Sequence, residues 1–255
     1  MVQALKLRRP LLSGEVLDLG LRLFMASIVK CLPVALAVQL VGQLASIQGF
    51  LLTGRGARPA ADPLWWSLML VAFAAAAIGL ALIMRLQTAT GTAEFSFAAA
   101  ARATLRQASP VVAIAIAVVL AVAAGLALLV LPGVYLMVAL SMAMPSLVNE
   151  GLAPLPAMRR SFSLIRGHWW RTASMLLVAL VAVIVVYFVL WTVVLLVAQL
   201  FGAADLALVS ALTAVVLAIV GATLLPLFAA LLLVMHADLV LRSALAGHEG
   251  KPVAA

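Results

Sequence analysis

Charged residues are scarce in this chain of 255 residues. Only 9% of the residues are charged, against roughly 25% in an ordinary soluble domain. Hydrophobic residues make up 67%, and the mean hydropathy is +1.28. A soluble protein this apolar could not cover its own surface with polar groups, so lipid must cover it. The composition therefore excludes an ordinary soluble domain and predicts an integral membrane protein.

Cysteine, histidine and acidic residues are also few. Cys31 is the only cysteine, so no internal disulfide can form. The three histidines and eight acids are scattered along the chain, whereas metal-assisted hydrolysis needs such residues in a cluster. No HExxH, Walker A, GxSxG or paired-cysteine motif occurs. The sequence thus predicts a non-enzyme with no catalytic residue, no metal site and no cofactor.

Six apolar runs are long enough to cross a bilayer as helices. A helix rises about 1.5 Å per residue, so a hydrocarbon core of about 30 Å requires roughly 20 residues. The uncharged stretch from Gln107 to Asn149 is too long for one span, and Pro132-Gly133 near its centre predicts a tight hairpin. The return arm is short, about 24 Å by the same rise, so whether it crosses the bilayer fully is left open. The predicted spans are Phe24–Gln48, Leu64–Met84, Pro110–Leu131, Val134–Asn149, Thr172–Phe201 and Leu206–Met235.

The basic residues are divided unequally between the two sides that six spans define. Fourteen of the sixteen lysines and arginines lie at the chain ends or in the second and fourth connections, with Lys30 counted in the N-terminal group. Only Arg55 and Arg58 lie on the other side. Cytoplasmic loops carry the excess of lysine and arginine, so both termini are expected in the cytoplasm. The net charge of +8 therefore indicates membrane topology and not a nucleic-acid partner.

A short amphipathic segment, here called an elbow, precedes each pair of spans. Such segments lie in the membrane interface, with their arginines among the headgroups. The polar faces contain Glu15, Asp18 and Arg22 in the first elbow, Arg102 and Arg106 in the second, and Arg159, Ser163 and Arg166 in the third. The apolar faces contain Leu12, Val16, Leu19 and Leu23, then Phe97, Ala101 and Leu105, then Met158, Phe162, Ile165 and Trp169.

These features predict an all-α fold, a polytopic transmembrane helical bundle of about six spans. The whole chain, 1–255, is expected to form a single membrane domain of three units, each an elbow followed by a hairpin. The units cover residues 1–90, 91–150 and 151–245, and a short C-terminal tail of 246–255 follows. Whether the three units are true internal repeats is left open, because little residue identity relates them.

Four stretches carry a resemblance to a known family. They are Gly14–Asp18 with Arg22–Phe24, Leu131–Leu136, Glu150-Gly151 with Arg159–Arg171, and Asp238-Leu239 with Arg242. Together they resemble the membrane-domain family associated with glycerophosphoryl diester phosphodiesterases and its stand-alone bacterial relatives. Those relatives usually have a tyrosine just before the last Asp-Leu and an arginine directly after it, where this chain has His236-Ala237 and Val240.

The resemblance implies a six-helix membrane domain. Together with the charge distribution, it implies a bacterial inner (cytoplasmic) membrane. It does not imply phosphodiesterase activity, since that chemistry belongs in the family to a separate soluble domain, which this sequence does not contain.

The third elbow and the helix ends beside it contain the candidate functional residues. Arginines next to interfacial tryptophans predict contacts with anionic headgroups. Glu150 is interpreted as an interfacial ion pair that positions the third elbow, and Asp238 with Arg242 as an i,i+4 pair at a helix end. The alternatives are a phosphate site among the arginines near Glu150 and a proton relay through His236 and Asp238. The lipid-headgroup candidates are Arg159, Arg160, Arg166, His168, Trp169, Trp170 and Arg171.

Three functions remain open at this point. The first is a non-enzymatic protein that organises lipids, or a membrane-protein partner or second copy of the chain, through its basic elbows. The second is a small transporter or export component, with a path lined by polar residues such as Gln39 and Gln43. The third, a membrane-embedded lipid-modifying enzyme, would need ionisable residues brought together from distant spans.

Overall fold

A computed structural model describes residues 7, 9–54, 56, 58–90, 96–200 and 206–249. Within these ranges the chain forms nine α-helices and no β-strand, and a short 3₁₀ turn, Pro59–Ala61, precedes the second helix. The helices are α1 (Ser13–Gly54), α2 (Pro63–Thr88), α3 (Phe97–Arg106), α4 (Ala108–Leu128), α5 (Val130–Ala139), α6 (Ala143–Glu150), α7 (Pro154–Ile165), α8 (Trp169–Leu200) and α9 (Leu206–Glu249).

The all-α fold is confirmed. The described residues contain six helical stretches that are long and apolar enough to cross a membrane, with α5 and α6 together forming the fourth. The protein is therefore a multi-pass membrane protein. Residues 246–249 of the predicted C-terminal tail continue α9, and residues 250–255 lie outside the described ranges.

The first elbow is not a separate helix, contrary to the prediction. α1 begins at Ser13 and runs without interruption from the elbow into the span. The polar residues of the elbow fit the first turns of this helix. Glu15 accepts a hydrogen bond from the Leu12 N–H at 2.8 Å, and Arg22 pairs with Asp18 one turn earlier at 2.9 Å. The amphipathic pattern is thus satisfied within one continuous helix.

The hairpin after α4 turns earlier than predicted. Leu129 is extended (φ −164°, ψ 152°), with α4 ending one residue before it and α5 beginning one residue after it. Pro132 lies in the first turn of α5, where a missing N–H breaks no helical hydrogen bond. Gly133 serves the crossing of the two helices, because a Cβ on Gly125 would lie 2.9 Å from the Gly133 Cα. Pro132-Gly133 therefore starts the return helix and does not form the turn.

The return arm, predicted as the span Val134–Asn149, consists of two helices. A turn at residues 140–142 separates α5 from α6. Ser161 of α7 bridges the break, donating to the Ala139 carbonyl at 2.7 Å and accepting from the Met142 N–H at 3.2 Å. Backbone groups inside a membrane protein need internal partners, so this buried hydroxyl stabilises the interruption.

The centre of the bundle is formed by α1, α2 and α9. Fully buried side chains from all three helices meet there, among them Cys31 of α1, Met84 of α2 and Leu233 of α9. Gln87 of α2 donates to the Pro226 carbonyl of α9 at 2.7 Å. In contrast, α8 packs mainly on α9 and touches α5, so most of its apolar surface faces outward.

Candidate functional site at the charged end of the bundle

One end of the bundle collects residues that are far apart in sequence. The starts of α1, α4 and α8 meet the ends of α2, α6 and α9 there, together with α3 and α7. Arg85 of α2 donates to the Gln107 side chain just before α4, and longer-range pairs link the segment before α1, α6 and α8 to α9. We call this end the charged end, because the pairs Arg160–Glu150, Arg171–Asp238 and His236–Glu150, which join separate helices, all lie there. The helices α3 and α7 lie beside it.

The first group of contacts at the charged end is the Asp238 cluster, formed by Leu11, Arg171, Asp238 and Arg242. One Asp238 oxygen accepts the Leu11 N–H at 2.8 Å. The other accepts Arg242 at 2.9 Å and Arg171 at 3.1 Å. Both guanidinium groups also donate to the Leu11 carbonyl, at 2.6 Å from Arg171 and 2.8 Å from Arg242.

Burial makes the Asp238 cluster a structural requirement. The Asp238 side chain is only 3% exposed, and a buried carboxylate is tolerated only when it is paired and hydrogen-bonded. Two arginines and one backbone N–H supply those partners. The sequence predicted the Arg242 pair from its i,i+4 spacing, but not Arg171, which is 67 residues away. Arg171 was a candidate headgroup contact, and the structure places it in this internal cluster.

The second group is the His236 cluster, formed by Ser146, Glu150, Arg160 and His236. Glu150 binds Arg160 at 3.1 Å and the Nε2 of His236 at 3.1 Å. The same Nε2 lies 3.2 Å from the Ser146 hydroxyl. The cluster joins α6, α7 and α9, so Glu150 does contact the third elbow, as its interpretation as a positioning ion pair requires.

The His236 cluster does not have the geometry of a nucleophile relay. In a serine–histidine–acid relay, one ring nitrogen takes the proton of the serine hydroxyl. The carboxylate bonds to the other ring nitrogen, where it orients the ring and stabilises the imidazolium. Here Ser146 and Glu150 both approach Nε2. Asp238, two residues along α9, is held separately by its two arginines. These contacts are those of a structural cluster.

The third elbow is the separate helix α7, framed by Gly151 and Gly167. Both glycines have positive φ, 69° and 87°, which L residues rarely adopt. Its inner face packs on α4, α5, α6 and α9, where Ile165 of the predicted apolar stripe is buried and Met158 half-buried. Phe162 was predicted on that stripe but is exposed. The buried residues of α7 are Ala157, Ser161, Leu164 and Ile165.

The headgroup candidates around α7 fall into two groups. Arg159, Arg166 and Trp170 are exposed, and Trp170 keeps 81% of its surface free. Arg160 and Arg171 are half-buried and bound to carboxylates. His168 and Trp169 are also half-buried.

Trp169 lies between two aromatic rings. It stacks on Tyr135 of α5, with ring centroids 5.9 Å apart and planes at 17°. Its other neighbour is Trp170, which meets it edge-on at 4.8 Å. The start of α8 is therefore held against α5, while the Trp170 ring remains free to meet lipid.

The second elbow is the separate helix α3, as predicted. Ser96 caps it by accepting the Ala99 N–H at 3.3 Å. Arg102 and Arg106 are exposed, and so are the apolar side chains Phe97 and Leu105 on the other side of the helix. This distribution is typical of a helix that lies in a membrane interface.

The polar residues within the spans do not all lie together, although the Gln39 side-chain amide of α1 and the Tyr187 hydroxyl of α8 both lie beside Gly221 of α9. Gln48 donates to Asp62 at the opposite end of the bundle, at 3.0 Å. Thr192 bonds to the Phe188 carbonyl of its own helix at 2.8 Å, and Gln199 is exposed.

Comparisons of the chain with protein-family models, with curated proteins and with solved structures found no match. Within the described ranges, no group of three or more His, Cys, Asp or Glu side chains could hold a metal ion. What the charged end presents outward is a set of exposed arginines with aromatic side chains beside them.

Proposed function

We propose that this protein is a non-enzymatic membrane protein that binds anionic lipid headgroups through the exposed arginines of α3 and α7. The supporting observation is a division among the arginines of the charged end. Arg160, Arg171 and Arg242 are bound to carboxylates. Four others are exposed and have no carboxylate partner in the part of the chain that the structure describes; they are Arg102, Arg106, Arg159 and Arg166.

Exposed guanidinium groups suit phosphate-containing headgroups. The planar guanidinium donates two parallel hydrogen bonds to phosphate oxygens, and each basic residue near an anionic membrane surface contributes about 1 kcal/mol. Phe162 and Trp170 lie near Arg159 and Arg166 along the chain and are exposed as well. Aromatic rings of this kind enter the interface while the charged groups stay among the headgroups.

The proposal includes a location in a bacterial inner membrane, with the charged end on the cytoplasmic side. The excess of basic residues at that end supports the orientation, because lysine and arginine are retained in cytoplasmic segments. The resemblance of the third elbow to stand-alone bacterial membrane domains supports the location.

The test is lipid binding by the double variant Arg159→Gln/Arg166→Gln. Native mass spectrometry of the detergent-solubilised protein with phosphatidylglycerol gives the affinity. Removing two exposed arginines is expected to weaken binding about 30-fold, at about 1 kcal/mol for each. Arg160 is left intact, because its loss would also disturb the His236 cluster.

The matched control is Arg22→Gln/Arg58→Gln, which removes the same net charge from other places. Arg22 is already paired with Asp18, and Arg58 lies at the opposite end of the bundle. The control is expected to keep the affinity of the unmodified protein. Equal affinities for all three proteins would contradict the proposal.

A further inference from the structure

The tip of the α4–α5 hairpin lies close to the start of α8. Trp169, the first residue of α8, donates to the Tyr135 carbonyl of α5 at 3.5 Å and stacks on its ring. Tyr135 follows the turn at Leu129 by six residues, which is about 9 Å of helical rise. α8 has 32 residues, or about 48 Å by the same rise. The tip is therefore much nearer to the first turn of α8 than to its last.

The start of α8 belongs to the charged end. Arg171, two residues into α8, is part of the Asp238 cluster. The opposite end of the bundle lies at the connection between α1 and α2, where Asp62 caps α2 through the Leu64 N–H at 3.1 Å. A hairpin of two full spans would bring its tip to the level of that connection.

The return arm is attached to charged-end elements along most of its length. Ala139 and Met142, on either side of the break, are both bonded to Ser161 of α7. Glu150, at the end of α6, is bonded to α7 and α9 in the His236 cluster. These contacts and the one between Tyr135 and Trp169 all lead to the same end of the bundle.

The chemistry of the tip excludes water as its surroundings. Four consecutive large apolar residues form it, Leu128, Leu129, Val130 and Leu131, and each is between 67% and 82% exposed. No polar side chain occurs from Pro110 to Val134. The connection at the opposite end, by comparison, contains Asp62 and Arg58. Pro132 also removes one of the N–H groups that the first turn of a helix leaves unpaired, which lowers the cost of placing this turn in lipid.

We propose that α4, α5 and α6 form a re-entrant hairpin, which enters and leaves the bilayer at the charged end. Its tip is an interaction surface for the acyl chains of the leaflet on that side. α1, α2, α8 and α9 then make the full crossings. The 21 residues of α4 rise about 31 Å, so in this topology α4 runs obliquely to the membrane normal. Both arms start and finish on one side, as two full spans would, so the lysine and arginine distribution is the same for both topologies.

A segment inserted in one leaflet has a physical consequence. It adds volume to that leaflet and none to the other. The lipids that pack around it are therefore those of the charged-end leaflet.

Cysteine labelling in sealed membrane vesicles tests this topology. In a Cys31→Ala background, single cysteines are placed at Leu131, at Ala60 in the opposite connection, and at Ser163 on α7. All three positions are exposed on the bundle, so a small substitution there is compatible with folding. A membrane-impermeant maleimide is added to vesicles of each orientation.

We expect Ala60→Cys to react from one side, Ser163→Cys from the other, and Leu131→Cys from neither. A nitroxide on Leu131→Cys then reports its surroundings and depth. High accessibility to oxygen, low accessibility to a polar nickel complex and a depth in the charged-end half of the bilayer would support the proposal.

Three results would overturn the re-entrant topology. They are reaction of Leu131→Cys from the Ala60 side, its reaction from the Ser163 side, and a nitroxide that is protected from oxygen or lies in the other half of the bilayer. None of these measurements depends on headgroup binding by the arginines, so the two proposals can fail separately.

Discussion

The Asp238 and His236 clusters take their names from residues two positions apart on α9. They bind different parts of the chain, and their acidic side chains differ in exposure. Asp238 holds α8 and the segment before α1, and its side chain is 3% exposed. Glu150, the acid of the His236 cluster, holds α7 and is 24% exposed. The former joins parts of the chain separated by 227 residues, whereas the latter joins an elbow to the helices beneath it.

The difference between the clusters indicates separate roles. When one partner of a buried ion pair is removed, the charge left behind is buried and unpaired, which lowers the stability of the fold strongly. A half-exposed group can regain water, which reduces the cost. The Asp238 cluster should therefore determine whether the bundle closes, and the His236 cluster how firmly α7 is held.

The largest effect is expected for Asp238→Asn. The variant keeps the shape of the side chain but leaves Arg171 and Arg242 without a negative partner. Because those two side chains are 23% and 21% exposed, the loss is set by the two charged hydrogen bonds. At about 1.5 kcal/mol each, it is expected to be about 3 kcal/mol in the free energy of unfolding. The destabilisation is measured as a fall in the melting temperature, by thermal unfolding in detergent followed by fluorescence-detected size-exclusion chromatography.

The chain offers a close control for this variant, Asp18→Asn. Asp18 and Arg22 have the same i,i+4 spacing and the same 2.9 Å distance as Asp238 and Arg242, but their side chains are 59% and 75% exposed. Exposed pairs contribute little to stability, so the melting temperature should hardly change. Similar losses in both variants would show that burial is not what distinguishes Asp238.

An intermediate effect is expected for Glu150→Gln in the His236 cluster. The amide loses the charge that binds Arg160 and His236, at a cost of about 2 kcal/mol for charged hydrogen bonds. Ser146→Ala removes only the hydroxyl beside the His236 Nε2 and should cost about 1 kcal/mol. The same unfolding measurement ranks them, and a Ser146→Ala loss larger than that of Glu150→Gln would refute the assignment of Glu150 as the central residue.

The smallest effects on stability are expected for two neighbouring residues of α7, Arg159 and Arg160. These two residues should differ clearly in their effect on lipid binding. Arg160→Gln should lower stability by at most about 1 kcal/mol, because a partly exposed ion pair is lost. Arg159→Gln should leave the melting temperature unchanged and weaken phosphatidylglycerol binding. If Arg160→Gln weakened lipid binding as much as Arg159→Gln does, the division between structural and lipid-facing arginines would be wrong.

Local signals were sufficient for the general architecture. Apolar length predicts the membrane-compatible helices, and the spacing of Arg102 and Arg106 predicts α3 as a separate helix. The same type of pattern was misleading in the first elbow. There, pairs such as Asp18 with Arg22 are equally compatible with the opening turns of one long helix, which is what α1 adopts.

The features that the sequence did not predict depend on tertiary contacts. Pro132 and Gly133 are typical of a turn, but they also suit the first turn of a helix and a close helix crossing. The break in the return arm depends on Ser161, about twenty residues further along the chain. Arg171 lies beside two tryptophans in sequence, which favours a headgroup contact, while its partner Asp238 belongs to another helix.

The bond between Leu11 and Asp238 also has a consequence for the order of folding. The two residues are 227 positions apart, so at about 5–20 residues per second the ribosome needs on the order of 10 to 45 s between them. Arg171 is made 160 residues after Leu11, and Arg242 only after Asp238, so for most of that time none of these three partners of Leu11 exists. The segment before α1 is thus among the first parts of the chain to be synthesised and among the last to be fixed in place.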